Sequence, residues 1–274
     1  MRILISVDME GVSGIVHQAE ILPGQYDYER GRALMTAEVN AVIDGVLEAD
    51  PGADVLVADA HGPFRSILPE DLDRRVRLVR GRPRPLGMLE GLDDRTGAVM
   101  FVGYHARAGA GPAVLAHTMS GAVLSVRLNG RTVGEIGMNA ALAGQHGAPV
   151  ALIAGDDVAC AELAELSPRS VTVPVKEAIG QLAAVTPHPA VIRERLRAAA
   201  ARAVREVPAI PAFRIDGPVA LEMDLHGPAV VDLAALVPGV RRGPGARTVT
   251  FAARDLPEAY RVMSLLVALG QVPL

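Results

Sequence analysis

At 274 residues, half of them hydrophobic, the chain is long enough to bury a core as one large domain, or a domain with a small appendage, without disulfide or metal staples. Its formal net charge of -4 and its 3% of aromatic residues argue against a nucleic-acid partner, which needs a basic surface and rings on which bases stack. A single cysteine, Cys160, rules out an intramolecular disulfide or a thiolate zinc cluster, and its setting, Val158-Ala159-Cys160-Ala161, is that of a packed helix position.

In the first ten residues, Ile3, Leu4, Ile5 and Val7 are too continuous for a half-exposed strand and too short and β-branched for a helix. They predict a strand buried on both faces of an α/β sheet. Asp8 and Glu10 follow at its carboxyl end, on one side of the chain if the extended backbone lasts that far. Such acids often only close a turn, and Gly11-Val12-Ser13-Gly14 is turn-like. Yet the carboxyl ends of strands are also where open α/β sheets bind ligands. The segment lacks the charged start and cleavage site of a secretory leader, and no apolar run approaches a membrane span, so a soluble cytoplasmic protein with no membrane partner is expected.

Leu34, Met35, Val39, Val42, Ile43, Val46 and Leu47 predict a helix over 28–48, stopped by Pro51-Gly52. A strand over 54–58 then ends in Asp59-Ala60-His61-Gly62, completing a βαβ unit. Residues 71–84 are arginine-rich around a short strand at 76–79, and the flanking acids mark a solvated face rather than a phosphate site. A third buried strand, 97–103, runs into Tyr104-His105-Ala106-Arg107, and a glycine-rich loop leads on to Ala116-His117-Thr118-Met119. Asn129-Gly130 between apolar runs at 123–128 and 131–133 predicts a hairpin. Glu135 opens a helix over 136–145. The strand over 149–154 ends in Gly155-Asp156-Asp157, with Asp157 expected to cap the helix that carries Cys160. A strand over 171–175 ends in Lys176, the only lysine, a rarity that reads as genomic base composition.

A helix over 190–207 precedes Pro208 and Pro211, where the boundary is expected. Beyond it come a strand at 219–225, a helix at 229–236, a strand at 248–252 and a helix at 256–269. The fold class expected is α/β, a largely parallel or mixed central sheet flanked by helices. Residues 1–207 are expected to form the α/β domain that carries the metal-binding and catalytic residues, and 208–274 a smaller C-terminal α+β unit for support, closure or assembly.

Collected from the strand ends, Asp8, Glu10, His61 and His105, with Glu135 after the hairpin, make a mixed carboxylate and imidazole set. That is the donor chemistry of zinc or manganese hydrolases rather than of thiolate structural sites. Asp8 could bridge two ions about 3.5 to 4 Å apart, a pair able to activate water near neutral pH and to clamp an oxyanion. Asp59 either orients His61 or caps the turn. His117 is either a catalytic base, acid or nucleophile, or an exposed loop residue. His17, His146, His188 and His226 read as surface residues.

Several ordered segments resemble the bacterial zinc-dependent D-aminopeptidase family of the DppA type. They are Ser6-Val7-Asp8-Met9-Glu10-Gly11-Val12-Ser13-Gly14, Tyr28-Glu29-Arg30-Gly31-Arg32, Asp59-Ala60-His61, Gly103-Tyr104-His105-Ala106-Arg107, His117-Thr118-Met119, Gly134-Glu135-Ile136-Gly137-Met138-Asn139-Ala140 and Ala154-Gly155-Asp156-Asp157. The resemblance implies a binuclear zinc aminopeptidase, with two zinc ions per subunit, that releases D-residues, notably D-Ala, from short D-amino-acid-containing peptides. It also implies self-assembly into a ring-shaped homo-oligomer, a homodecamer among the candidates. It puts the metal ligands on Asp8 as bridge, Glu10, His61, His105 and Glu135, and the family's proposed nucleophile on His117, where a proton shuttle or oxyanion partner is the more ordinary chemistry. Residues 177–183 are less polar and basic than is usual in the family, so substrate preference could differ if they line the entrance.

Two other readings compete. In a haloacid-dehalogenase-type phosphatase Asp8 would be the nucleophile and Gly155-Asp156-Asp157 would hold magnesium, but Lys176 follows that segment where it should precede it, and the histidines have no task. In a non-catalytic, metal-stabilised binding protein the site would be closed and richer in Cys and His.

Overall fold

In the computed structural model, which describes residues 1–271, the opening apolar run forms β1 (Arg2–Val7), with Ile3, Leu4, Ile5 and Val7 all inaccessible to solvent. Residues 272–274 of the expected 208–274 unit lie outside the described residues. Alternation along β1 sends Ile3, Ile5 and Val7 into one apolar layer and Leu4 into another. The first layer is closed by α1 (Tyr28–Ala49) and, from late in the chain, α4 (Pro189–Glu206); Gly45 lets the backbone of Arg197 come close.

Around β1 stand β2 (Asp54–Asp59), β3 (Arg77–Val79), β4 (Thr96–Tyr104), β7 (Val150–Asp156), β8 (Val171–Gly180) and β9 (Ala183–Val185). The order is β3-β2-β1-β4-β7-β8-β9, parallel throughout except for the β8–β9 hairpin. The chain winds outward from β1 through β2 to β3, then returns to β4 on the other side. The order therefore reverses between β1 and β4, the switch point at which an open sheet leaves a crevice beyond its carboxyl ends.

The Asn129-Gly130 turn joins β5 (Val123–Leu128) to β6 (Arg131–Val133), both turn residues having positive φ (51° and 78°). These two strands belong to a second, antiparallel sheet completed by β10 (Val219–Leu225), β11 (Arg241–Arg242) and β12 (Thr248–Ala253), in the order β11-β12-β10-β5-β6. It draws strands from both sides of residue 207, because β10 pairs with β5. Between the sheets lie α2 (Glu135–Gln145), α3 (Asp157–Leu166) and α6 (Leu256–Leu269), with α5 (Pro228–Ala234) packed on α6. Among the described residues no helix is long and apolar enough to cross a membrane.

Two local expectations change. The cap of α3 is Asp156, not Asp157: the Asp156 carboxylate accepts from the amide of Ala159 at 2.7 Å, while Asp157 accepts from the amide of Ala178 at 2.9 Å. The strand expected to end at Val175 continues to Gly180 because β9 folds back on it and supplies hydrogen-bond partners. Cys160 is buried on α3, and burial is the main cause that pushes its thiol up to about 12. Ellman's reagent at pH 8 is thus expected to find no thiolate in the native protein and one equivalent after denaturation. Fast native labelling would contradict the packing.

Candidate metal centre

Three loops at the switch point bring the polar residues together. β1 ends at Val7, so Asp8 and Glu10 are gathered by a turn and not by continued pleating. This turn crosses the end of β4: the amides of Asp8 and Gly11 donate to the carbonyls of Val102 and Gly103, both at 2.8 Å. Close approach demands glycine on both sides. A Cβ on Gly11 would stand 1.9 Å from the backbone carbonyl oxygen of Tyr104, and one on Gly103, at φ 68°, would stand 2.2 Å from the backbone carbonyl oxygen of Asp8.

His61 follows β2 and His105 follows β4, while Glu135 is the first residue of α2. All five are buried. Asp8 divides its carboxylate between them: Oδ1 lies 3.2 Å from His61 Nδ1, and Oδ2 lies 3.4 Å from His105 Nε2. Glu10 Oε2 is 2.9 Å from the same His61 nitrogen, and Glu135 Oε1 is 3.4 Å from the same His105 nitrogen. The five donors thus form the triplets Asp8-Glu10-His61 and Asp8-His105-Glu135, and a third triplet, Glu10-His105-His117, draws on both, each with its ligand atoms within 4.8 Å of one another.

His117 adjoins both. Its ring stacks on His105 with centroids 4.1 Å apart, and its Nε2 is 3.9 Å from Glu10 Oε1 and 3.9 Å from Glu135 Oε1. Unlike the five, it keeps 27% of its side chain exposed. The loop that carries it is strained, since Leu115 and Met119, both non-glycine, have φ of 51° and 62°. The amide of Met119 donates to Glu135 at 2.6 Å, and that of Val114 to Asp156 at 2.8 Å. The less polar segment 177–183 reaches the same loop. Leu115 donates its amide to Gln181 O at 2.9 Å, and the Gln181 side chain donates to Ala116 O at 3.2 Å.

Tautomers test whether a cation fits. Each imidazole spends one nitrogen on a backbone carbonyl, which can only accept: His61 Nε2 on Ile21 at 2.8 Å, His105 Nδ1 on Ala106 at 3.0 Å and His117 Nδ1 on Leu115 at 2.8 Å. In the neutral ring the other nitrogen is then a lone pair, and in every case it faces carboxylate oxygens. Lone pairs facing carboxylates from two sides require positive charge between them, supplied by protons or by a metal. His105 Nε2 is buried without a hydrogen-bond partner among the described residues. The donor set therefore fits zinc, held by carboxylates and oriented imidazoles.

Without a cation, protons take its place. Burial is the largest single influence and lowers His61 and His105, but the carboxylates around them, Glu10 and Asp8 at the first and Glu135, Asp8 and Glu10 at the second, together outweigh it and hold both well above the usual imidazole value. Burial, and then Glu10, push Asp8 well above the carboxylate range. Burial would raise Glu10 and Glu135 too, yet His61 and His105 respectively hold them below it. Zinc uptake near neutral pH should thus displace protons from the site, and apparent affinity should fall as pH falls. Titration calorimetry in buffers of differing ionisation enthalpy checks this; a buffer-independent heat would contradict it.

Asp59 takes the turn-capping alternative: its Oδ2 accepts from the amide of Ile67 at 2.7 Å, and His61 is oriented by Ile21 instead. His17 and His188 are exposed caps of a 3₁₀ turn and of α4, His146 pairs at the surface with Asp94, and His226 is exposed. Both carboxylate oxygens of Asp156 accept from backbone amides, those of Val114 and Ala159, and one oxygen of Asp157 accepts from Ala178. The rarity of Lys176, which reads in the sequence as base composition, has a structural side: the residue is buried beside the turn that carries Asp8 and Glu10, and a lone lysine closing an apolar strand is the signal for it.

The family model described as D-aminopeptidase matches residues 1–265. A D-aminopeptidase of Bacillus subtilis (strain 168) is 37% identical over 272 residues, 98% of each chain. A solved structure described as the Zn-dependent D-aminopeptidase DppA from Bacillus subtilis, a self-compartmentalizing protease, superposes with a TM-score of 0.96 at 35% identity, covering 100% of this chain and 99% of the other.

Proposed function

This chain belongs to the D-aminopeptidase family, and from that membership we propose that it removes amino-terminal D-residues, D-alanine foremost, from short peptides at a centre of two zinc ions. The observation that carries the two-ion reading is the division of Asp8, one oxygen toward His61 and Glu10, the other toward His105 and Glu135. Asp8 is then the bridge, Glu10 and His61 complete one set, and His105 and Glu135 the other. Bound zinc would polarise the scissile carbonyl and lower the pKa of water toward neutrality.

The chain's own groups supply the rest. Backbone carbonyls fix each imidazole so that only one nitrogen of each faces the cleft. His117, partly open to solvent, holds its Nδ1 proton on Leu115, so Nε2 is the atom that takes a proton from the attacking group and returns it to the leaving amine. The solved relative's description as self-compartmentalizing supports assembly of this chain into a ring-shaped homo-oligomer.

The test is a panel of D- and L-aminoacyl amides given to metal-free protein reconstituted with zinc. The expected result is turnover of the D-alanyl substrate that grows up to two zinc per subunit and an L-alanyl rate lower by at least about 100-fold. Saturation at one equivalent would remove the second ion. Equal rates on both hands would remove the stereochemical claim.

A further inference from the structure

Lys176 is the only lysine among 27 basic residues, every other being arginine, and it is 1% exposed. Its Nζ donates to three carbonyl oxygens, those of Glu10 at 2.6 Å, Val12 at 2.9 Å and Ile15 at 2.6 Å. Three acceptors around one nitrogen match the three N–H groups of an ammonium ion. A guanidinium presents its donors in a plane and cannot enter that tripod, which is a physical reason for lysine at this one position. Among the described residues no carboxylate touches it, its direct partners being the three peptide oxygens, while Asp156, Glu38, Glu10 and Glu20 favour its charge from farther away.

The three carbonyls belong to the turn that carries Glu10. Its amide side is tied elsewhere, Gly11 to Gly103 and Ser13 to the Glu38 carboxylate at 2.9 Å. Lys176 gathers the carbonyl side, and one of its acceptors is the backbone of Glu10 itself. Fixing that carbonyl fixes the direction in which the Glu10 side chain leaves the backbone.

We propose that Lys176 is a positioning residue for the metal centre, its ammonium tripod holding Glu10 in the orientation that meets His61. The proposal rests on the reading of Glu10 as a zinc ligand. It adds a determinant of metal affinity that touches neither ion nor substrate and reaches the site from β8, across the sheet from β1.

The test compares zinc affinity, by competition with a chromophoric chelator, in full-length wild type, Lys176→Met, Lys176→Arg, Lys176→Gln and Glu10→Gln, with circular dichroism of each metal-free protein. Lys176→Met and Lys176→Arg are expected to stay folded and to bind zinc about 10- to 100-fold more weakly, with Lys176→Gln between them and wild type. Unchanged affinity in Lys176→Met overturns the proposal. Wild-type affinity in Lys176→Arg shows that charge alone suffices and overturns the tripod. If none of the three folds, Lys176 serves the fold and not the site, which also overturns it. Glu10→Gln separates the two readings: unchanged affinity there removes Glu10 as a ligand, whereas weakened affinity there with none in Lys176→Met removes only the positioning role.

Discussion

Asp8→Asn is expected to lower D-aminopeptidase turnover by about a thousand-fold or more, equivalent to about 4 kcal/mol of barrier, and to cost the protein one of its zinc equivalents. Asparagine keeps the size of Asp8 but offers one neutral oxygen in place of two charged ones, so it cannot serve both His61 and His105. Stability should move the other way. Burial and the neighbouring Glu10 disfavour the charged form of Asp8, holding its pKa above the unfolded value. Near neutral pH, above that carboxyl's unfolded value, a raised folded pKa is a cost to the native state. Removing the charge should therefore leave the metal-free variant melting no lower than metal-free wild type. Paired zinc analysis, steady-state rates and thermal melts check both halves. A variant that keeps a tenth of wild-type activity would remove Asp8 from the centre, and one inactive only because it unfolds would leave its role undemonstrated by this route.

Gly11→Ala is expected to destabilise the protein by about 3 kcal/mol or more, a fall in Tm on the order of 10 °C, and to abolish activity in whatever fraction stays folded. The added methyl would meet the Tyr104 oxygen at 1.9 Å and the Gly103 carbon at 2.6 Å, both backbone atoms of the strand end that carries His105. No side-chain rotation relieves that contact, so either the turn bearing Asp8 and Glu10 or the end of β4 must move. Gly180→Ala is the control, since a Cβ there meets nothing within 4 Å and the backbone is not left-handed; its Tm should stay within about 1 to 2 °C of wild type. Equal melting of the Gly11 and Gly180 variants would show that the loop crossing is loose.

Much of this molecule was legible as linear pattern, and the reason is local. The strand at Ile3 to Val7, the helix stopped by Pro51-Gly52 and the Asn129-Gly130 hairpin each follow from periodicity or turn chemistry within a few residues. The extension of β8, the cap at Asp156 and the short strands β9 and β11 were not legible. They depend on partners that a neighbouring segment supplies, or on a one-residue choice between adjacent aspartates.

The same division runs through the site. By itself the sequence determined which side chains are available, because carboxylates and imidazoles placed at the ends of buried strands have few other ways to be accommodated at a sheet's rim, and the ordered motifs name the family. Only the tertiary structure decided how they are used: that Asp8 faces two histidines, that Ile21 and not Asp59 orients His61, and that a lysine explicable by composition holds the turn of Glu10 from three carbonyls. Each of these depends on backbone oxygens brought together from distant segments, and a backbone oxygen is the same in every residue, so no pattern of side chains announces where it will be needed.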